Sequence, residues 1–330
     1  MKGAILGLDV GGANLKAAHT TGAARSRSFA LWKDPDGLAD ALRGLIAEMP
    51  PADALAVTMT GELCDCYETK RQGVSAILDA VEQAADGMPV RVWCNDGRFH
   101  EPAAARTAPL TAAAANWLAL ATFAGRFAPN GAALLMDFGS TTTDLIPLHD
   151  GRPVPHGCTD RERLRCGELV YIGVRRTPLC AILAEEGAAE LFATTLDLFL
   201  LLDWIAEDAA DCNTADGRPA VKAAAEARLA RMDCTDLETS TPEERKKLVN
   251  WILFKLTYSI MTAVRQVVGR LPEPPRKVVI AGEGAFLALH ILKAQSAFPP
   301  CPTVPIRDKL GPEISRAACA YAVAVLAAEE

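Results

Sequence analysis

The distribution of hydrophobic and polar residues along the chain predicts a β-hairpin near its middle. Residues 131–148 read GAALLMDFGSTTTDLIPL, in which one apolar run ends at Asp137 and Gly139 and a second begins at Asp144. Between the two runs lies a short turn of small hydroxyl residues. Apolar runs joined in this way are typical of a strand, a tight turn and a second strand.

The same order of residues occurs close to the start of the chain, over residues 4–18. Here an apolar run leads to Asp9, a Gly-Gly turn follows, and a second apolar run contains Lys16. Glycine suits such turns because it adopts positive φ angles and lets a ligand approach the backbone closely. Two hairpins of one type, far apart in the chain, predict two related halves that face one another across a cleft.

Both turns carry residue types that bind phosphate groups. Asp9 and Asp137, at the ends of the first strands, can hold a divalent cation, and Asp144 could hold either that metal or its own hairpin. Lys16 adds a positive charge for a phosphate oxygen. The alternative is a pair of ordinary hairpins with solvated turns. Since backbone N–H groups can converge on an anion, the predicted phosphate-binding residues are Gly11, Gly12, Asn14, Gly139, Ser140, Thr141 and Thr142.

The remaining periodic segments predict an α/β chain. Thr241 and Glu244 have the spacing of a capping box at the start of the longest helix. We predict a first domain over 1–125 and a second over 126–330, with a helical insertion at about 179–270. The final helix could pack back on the first domain. Further strands are predicted over 24–32, 52–59, 90–94 and 277–281, and helices over 35–49, 74–85, 111–125, 179–210, 241–270, 285–294 and 312–328.

The composition of the chain limits the classes of partner and the cellular compartment that we expect. The chain has 330 residues, half of them hydrophobic, which is enough for two domains with a substantial core. Its formal net charge of −7 argues against nucleic acid and anionic membranes as partners. No apolar run approaches the roughly 20 residues of a membrane span. Met1 and Lys2 lead directly into the first strand, which leaves no room for a cleavable leader, so we expect a cytoplasmic protein.

The cysteines do not form a recognisable metal-binding motif. Ten cysteines are scattered along the chain without paired spacing, and we expect them to be free thiols. Cys64 and Cys66 lie two residues apart, but a closed zinc site usually needs four ligands.

The two hairpins, GLDVGGANLK and MDFGSTTTD, resemble the phosphate loops of the actin, sugar kinase and Hsp70 superfamily. This resemblance implies two ribonuclease-H-like domains that face a central cleft and hold phosphates together with Mg²⁺. A third element of that superfamily is matched by residues 277–286. If ATP or another nucleotide binds, Gly282, Glu283 and Gly284 would contact its adenosine; otherwise they form only a strand-to-helix turn.

Longer stretches resemble one small branch of this superfamily. They are MTGELCDCYETKRQGV (59–74), NDGRF (95–99), AAANW (113–117), GELVYIGVRRTP (167–178) and TADGRP (214–219). The branch is hydantoinase/oxoprolinase-like and contains the (aminomethyl)furan ether synthases of methanofuran and methylofuran biosynthesis, which belong to tetrahydromethanopterin-linked one-carbon metabolism.

That resemblance implies a Mg²⁺-dependent transferase. It would join an aminomethylfuran-methyl diphosphate to the phenol oxygen of a tyramine- or tyrosine-type acceptor and release diphosphate. Its partners would be these two small molecules, and a homodimer is left open. Two other functions also stay open: an ATP-dependent kinase or hydantoinase/oxoprolinase-like ATPase, and a non-catalytic nucleotide-binding sensor.

A phenol with an unperturbed pKa near ~10 needs a base or a nearby cation to react at neutral pH. Glu62 and Asp65 follow a predicted strand and are the first candidates for that base, and Asp96 is the next. The structural alternative is that Glu62 and Asp65 cap the following helix or pair with Lys70 and Arg71.

Two adjacent arginines are candidates for binding an anionic substrate group. Arg175 and Arg176 end the Arg-rich run 160–178, which would ordinarily be a solvated loop. They could bind the acceptor carboxylate or the diphosphate. As structural residues they would pair with Glu168 or Glu162 instead.

Overall fold

The first half of the chain forms a six-stranded mixed sheet. The computed structural model describes residues 3–294 and 297–330, so Met1 and Lys2 lie outside the described residues. The strand order is β3-β2-β1-β4-β5-β6. β1 is antiparallel to β2 and parallel to β4, while β3 and β6 are antiparallel to their neighbours. The strands are β1 (Ile5–Val10), β2 (Asn14–His19), β3 (Ala24–Ser28), β4 (Ala54–Met59), β5 (Val90–Trp93) and β6 (Phe99–His100).

The second half repeats the central part of this arrangement. β7 is antiparallel to β8 and parallel to β11, and β11 is parallel to β12. The other edge of β8 pairs with both β9 and β10. The strands are β7 (Ala132–Phe138), β8 (Thr143–His149), β9 (Arg152–Pro153), β10 (Leu169–Val170), β11 (Lys277–Ala281) and β12 (Thr303–Pro305).

Helices cover both faces of each sheet. In the first half they are α1 (Leu38–Ala47), α2 (Lys70–Ala85), α3 (Pro102–Thr107), α4 (Pro109–Ala112) and α5 (Asn116–Ala124). In the second half they are α6 (Asp160–Cys166), α7 (Leu179–Leu183), α8 (Thr195–Leu201), α9 (Lys222–Met232), α10 (Pro242–Val268), α11 (Ala285–Ala294), α12 (Ile306–Leu310), α13 (Pro312–Arg316) and α14 (Ala318–Glu329). None of the described helices combines the length and the hydropathy that a membrane crossing requires.

A shared core joins the two halves. α5 and α14 lie between the sheets, and their apolar side chains pack with residues of both, including Ala56, Leu135 and Val279. The chain's final helix therefore packs on the first sheet. Gly7 of β1 permits this contact, because a Cβ atom there would lie only 1.9 Å from the carbonyl oxygen of Ala320. The outer faces of the two sheets are covered by α1 and α2 and by α10 and α11.

Three predicted helices are shorter than the sequence pattern indicated. The helix predicted over 111–125 begins only at Asn116, since Ala114 has a φ of +48° and interrupts it. The prediction of a single helix over 179–210 was wrong. The chain forms α7 there, leaves helical geometry at Ala184, and starts α8 with a capping box between Thr194 and Asp197. The final helix is likewise divided at Ala317.

The capping box predicted for α10 is confirmed. The Thr241 side chain accepts a hydrogen bond from the backbone N–H of Glu244, and the Glu244 carboxylate accepts one from the N–H of Thr241. The predicted α/β fold class, with two related mixed sheets, is confirmed as well. The division into domains 1–125 and 126–330 stays a prediction.

Candidate active site

A cleft of about 660 Å³ lies between the two halves, at the ends of β1, β4, β7 and β11. In open α/β sheets, ligands commonly bind beyond the carboxyl ends of the strands. Of the predicted site residues, those that line the cleft are Asp9, Gly11, Gly12, Asn14, Lys16, Glu62, Asp65, Asp137, Gly139, Ser140, Thr141, Thr142, Asp144, Arg176, Gly282 and Glu283.

The two hairpins that enter this cleft have equivalent geometry. In the first turn the N–H of Gly11 donates to the carbonyl of Asn14 at 3.1 Å; in the second, the N–H of Gly139 donates to Thr142 at 2.9 Å. Asp9 lies opposite Lys16 across the first pair of strands, and the corresponding positions of the second pair hold Asp137 and Asp144. The hairpins thus contribute one cation and three carboxylates to the lining of the cleft.

Lys16 is the positive group nearest the base of the first hairpin. Burial disfavours its ammonium group, but the carboxylates of Asp9, Glu283 and Asp137 outweigh that effect and hold its pKa above the ordinary value. Burial also raises the pKa of Asp9, and Oδ1 of Asp9 is buried with no hydrogen-bond partner over residues 3–294 and 297–330. A buried carboxylate oxygen without a partner is costly unless a ligand or ion occupies the position beside it.

The surroundings of Asp137 strongly disfavour its ionised form. Burial, followed by the neighbouring carboxylate of Asp144, raises its pKa to about 7. Gly282 lies directly against it, since a Cβ atom at that position would approach Oδ1 of Asp137 to 2.5 Å. Gly282 also has a φ of +80°, so glycine is needed there for both reasons.

This raised pKa predicts that Asp137 destabilises the metal-free protein at high pH. Between pH values near 4 and 7 the folded state holds a proton on Asp137 that the unfolded chain has released. The free energy of unfolding therefore falls as pH rises through that range. We expect Asp137→Asn to raise the unfolding free energy by roughly 4 kcal/mol at pH 8 and by only about 1 kcal/mol at pH 4.5.

Urea unfolding in the presence of a chelator measures this effect. The matched control is Asp53→Asn, which changes an exposed carboxylate that accepts a hydrogen bond from the N–H of Ala4 at 2.7 Å. Equal effects of Asp137→Asn at both pH values would contradict the assignment of the raised pKa to Asp137.

The carboxylates Asp9 and Asp137 fit a hydrated Mg²⁺ better than a closed metal centre. Over residues 3–294 and 297–330, no three side chains of His, Cys, Asp or Glu converge as a metal-binding group. Mg²⁺ commonly binds through one or two carboxylates, its own waters and the phosphate oxygens of a substrate. Asp144 is engaged differently: its Oδ1 accepts a hydrogen bond from Arg163 at 2.5 Å. That ion pair favours a structural role for Asp144 in its own hairpin over a role in metal binding.

A chain of charged side chains crosses the cleft beside the hairpins. Lys70 lies 3.5 Å from Glu62 of the first half and 3.7 Å from Asp160 of the second. Arg163 continues the chain from Asp160 to Asp144.

Glu62 is almost completely buried at 1% exposure, and among the residues that the structure describes its Oε2 has no hydrogen-bond partner. Burial raises the pKa of Glu62, against the opposing charge of Lys70. The predicted pairing with Lys70 is therefore present, yet one oxygen of this carboxylate remains available for a ligand.

The mouth of the cleft is aromatic and cationic. The guanidinium of Arg176 lies over the ring of Trp32, 4.9 Å from its centroid, and thus joins the two halves. Leu63 and Tyr171 line the same cleft and are each 61% exposed. Together these side chains form a surface suited to an aromatic molecule that carries a negative charge.

Three predicted site residues do not line the cleft. Asp96 lies in an exposed turn, where its carboxylate contacts Nε2 of His100 at 2.7 Å. Arg175 forms an ion pair with Asp211 and so points to the insertion. Gly284 packs against Phe138 and Val174.

The structural partners predicted for Arg175 and Arg176 were wrong. Glu168 pairs with Arg270, and Glu162 belongs to the capping box of α6. The roles proposed for Asp65, Arg176 and the other cleft residues stay predictions.

Sequence reasoning missed several residues of the cleft. Asp160, Arg163 and Tyr171 belong to the Arg-rich run 160–178, whose mixture of charged and apolar residues was the available signal. Cys319 had no signal, because α14 brings it to the cleft from the far end of the chain. The missed residues are Trp32, Asn116, Asp160, Arg163, Tyr171 and Cys319. All ten cysteines, including Cys64 and Cys66, are free thiols as predicted.

A family model described as hydantoinase/oxoprolinase matches residues 53–325, which is most of the chain. The chain belongs to the hydantoinase/oxoprolinase family. Within this family it is 35% identical to the (4-{4-[2-(gamma-L-glutamylamino)ethyl]phenoxymethyl}furan-2-yl)methanamine synthase of Methanocaldococcus jannaschii, over 99% of this chain and 98% of that protein. A synthase of the same name from Methanococcus vannielii is 31% identical over 60% of this chain and 91% of its own length.

Among solved structures, a nucleotide-free acetone carboxylase shares the fold of this family member. The TM-score is 0.57 at 10% identity, over 98% of this chain and 70% of that one. At this identity the likeness concerns the fold alone. It agrees with the two related sheets and the central cleft described above.

Proposed function

We propose that this family member is a transferase that forms an aryl ether in methanofuran- or methylofuran-type cofactor biosynthesis. It joins an aminomethylfuran-methyl diphosphate to the phenol oxygen of a tyramine- or tyrosine-type acceptor and releases diphosphate. The names of its two relatives contain a phenoxymethyl group on a furan, which is the ether that such a transfer produces. The single observation that carries the proposal is the pair of geometrically equivalent hairpin turns that line one cleft, one from each half of the chain.

The donor diphosphate lies between the two turns in this proposal. Backbone N–H groups of the turns and the ammonium group of Lys16 stabilise the charge that develops on the leaving group, and each such donor is worth about 3 kcal/mol in a site that excludes water. Asp9 and Asp137 would hold Mg²⁺, which would supply further positive charge for the diphosphate. The furan oxygen delocalises the positive charge that develops on the reacting carbon. Stabilisation of the departing diphosphate is therefore the main task of the site.

The acceptor phenol approaches from the mouth of the cleft. Glu62 takes the phenol proton through its unpaired oxygen, the phenol oxygen forms a bond to the furan methylene carbon, and the bond from that carbon to the diphosphate oxygen breaks. Lys70 and Asp160 position Glu62 from the other side. We place this reaction in the cytoplasm, where ten free thiols are expected to persist.

The 282–284 turn is where adenosine would lie if a nucleotide bound in the cleft. Beyond Glu283 the chain enters α11, where Phe286 packs edge-on against Phe199 and Trp204 at ring distances of 5.2 and 5.8 Å. These three side chains belong to the hydrophobic core of the second half rather than to the lining of the cleft. An ATP-dependent kinase or ATPase would need room for adenosine near this turn.

An assay of the purified protein separates these functions. With Mg²⁺, the furan diphosphate and γ-glutamyltyramine or tyrosine, we expect diphosphate and the aryl ether in equal amounts, detected by a coupled phosphate assay and mass spectrometry. ATP should neither be consumed nor be required. Release of ADP without use of the furan would support an ATPase, and nucleotide binding without any turnover would support a sensor.

Arg176 provides a test of acceptor binding. We expect Arg176→Ala to raise KM for an acceptor with a carboxylate by about 10- to 100-fold, since a charge-assisted contact is worth about 1.5–3 kcal/mol. The change in kcat should be small, and KM for tyramine, which has no carboxylate, should hardly move.

Arg175→Ala is the matched control, because Arg175 pairs with Asp211 and does not line the cleft. It should leave both KM values near those of the unmodified enzyme. An equal loss with tyramine and with tyrosine in the Arg176 variant would show that Arg176 serves the ring or the diphosphate instead.

A further inference from the structure

The solvent-exposed face of α10 carries a row of three aromatic side chains. Trp251, Phe254 and Tyr258 are 44%, 58% and 59% exposed. Their rings stack along the helix, with centroids 5.4 Å apart for the first pair and 6.3 Å for the second. Contiguous apolar surface of this kind commonly marks a site of protein interaction. We refer to these three residues as the aromatic row.

Charged residues extend the aromatic row in a self-complementary order. Glu243 and Arg265 are exposed on the same helix, eleven residues before and eleven residues after Phe254. Eleven residues are close to three helical turns, so both lie on the face of Phe254. Within the part of the chain that the structure describes, neither side chain takes part in an ion pair or a side-chain hydrogen bond.

We propose that this face binds a second copy of the chain, with the two α10 helices antiparallel and Phe254 on the two-fold axis. A two-fold interface requires that when residue i contacts residue j of the second copy, j also contacts i. The order of residues on α10 meets this requirement: Trp251 lies against Tyr258 of the second copy, and Glu243 lies against its Arg265. Each contact occurs twice.

A groove beside the aromatic row fits the same arrangement. It has a volume of about 410 Å³ and is lined by Lys247, Asn250, Trp251 and Phe254. In the antiparallel pair, the Tyr258 ring of the second copy enters this groove. Its hydroxyl group then comes close to the polar side chains of Lys247 and Asn250, which can satisfy it.

The size of the contact sets the expected affinity. From Glu243 to Arg265 the helix is about 33 Å long, at ~1.5 Å per residue. A contact between two helices of this length lies at the low end of specific interfaces. We therefore expect a dissociation constant in the micromolar range, so that the dimer is seen at high protein concentration and lost on dilution.

Sedimentation of the full chain at a series of concentrations, from about 1 to 200 µM, tests the proposal. We expect a monomer–dimer equilibrium that Phe254→Asp weakens by at least about 30-fold, because it places two carboxylates on the two-fold axis. Glu243→Arg and Arg265→Glu should each weaken the dimer by about tenfold. The double variant, in which both charges are exchanged, should restore the original affinity.

The control is Leu110→Asp, which changes a 63%-exposed apolar residue on α4 of the first half. It should leave the equilibrium unchanged. A chain that stays monomeric at all concentrations, a dimer indifferent to Phe254→Asp, or a double charge exchange that fails to restore affinity would each overturn the proposal. Binding of a monomeric chain to lipid vesicles through the aromatic row would overturn it in favour of a membrane surface.

Discussion

Asp9→Asn should lower kcat/KM for the furan diphosphate by about 10³-fold, since in the proposed mechanism it removes a carboxylate that would hold the cation beneath the departing diphosphate. The substitution keeps the size of the side chain, and the fold should persist because Asp9 makes no hydrogen bond through Oδ1 that the amide would break. Diphosphate release measured at several Mg²⁺ concentrations checks the result. Higher Mg²⁺ should restore part of the lost rate if the carboxylate acts through the cation.

Asp53→Asn is the matched control for this variant, because it makes the same change at an exposed site in the same half. Its rate should equal that of the unmodified enzyme. If Asp9→Asn retained a rate within about threefold of the original, the hairpins would not act on phosphate in the way proposed here. The same result would also count against an ATP-dependent enzyme at these turns.

Glu62→Gln should produce the second large effect, a fall in kcat of about 10²- to 10⁴-fold with an ordinary phenol as acceptor. Glutamine keeps the shape of the side chain but cannot take the phenol proton. A fluorinated or nitro-substituted phenol, which is already ionised at the assay pH, should recover most of the rate. In the unmodified enzyme kcat should rise with pH as Glu62, whose pKa burial raises, becomes ionised. The variant should lose that dependence.

Asp65→Asn distinguishes the two candidate bases. Asp65 also lines the cleft, but it is exposed, whereas Glu62 is buried and has an unpaired oxygen. We expect the Asp65 variant to retain its dependence on pH and to gain nothing from an acidic phenol. If instead Asp65→Asn showed the rescue and Glu62→Gln did not, the assignment of the base would move to Asp65.

Some functional groups follow from local sequence patterns alone. The two turns are recognisable because a strand, a Gly-containing turn and a second strand are adjacent in sequence. Their acidic residues and Lys16 follow from that local pattern. The capping box of α10 is likewise a local signal, with a donor and an acceptor only three residues apart.

Other predictions failed because local patterns compete with one another. The apolar residues over 179–210 have helical spacing, but the capping box at Thr194 starts a new helix there. Asp96 follows a strand as Glu62 does. After Asp96 the chain reverses direction and enters β6, the edge strand that is antiparallel to β5. Asp96 therefore contacts His100 at the surface.

The sequence by itself determined the two equivalent hairpins, the α/β class and the family, because these depend on neighbouring residues and on their order along the chain. Only the tertiary structure decided that Lys70 joins Glu62 to Asp160 across the cleft, that Arg176 stacks on Trp32, and that α14 packs against β1. Each of these contacts joins segments far apart in the sequence. Their geometry is fixed by how the two halves pack on the shared helices between the sheets, and no local pattern encodes that packing.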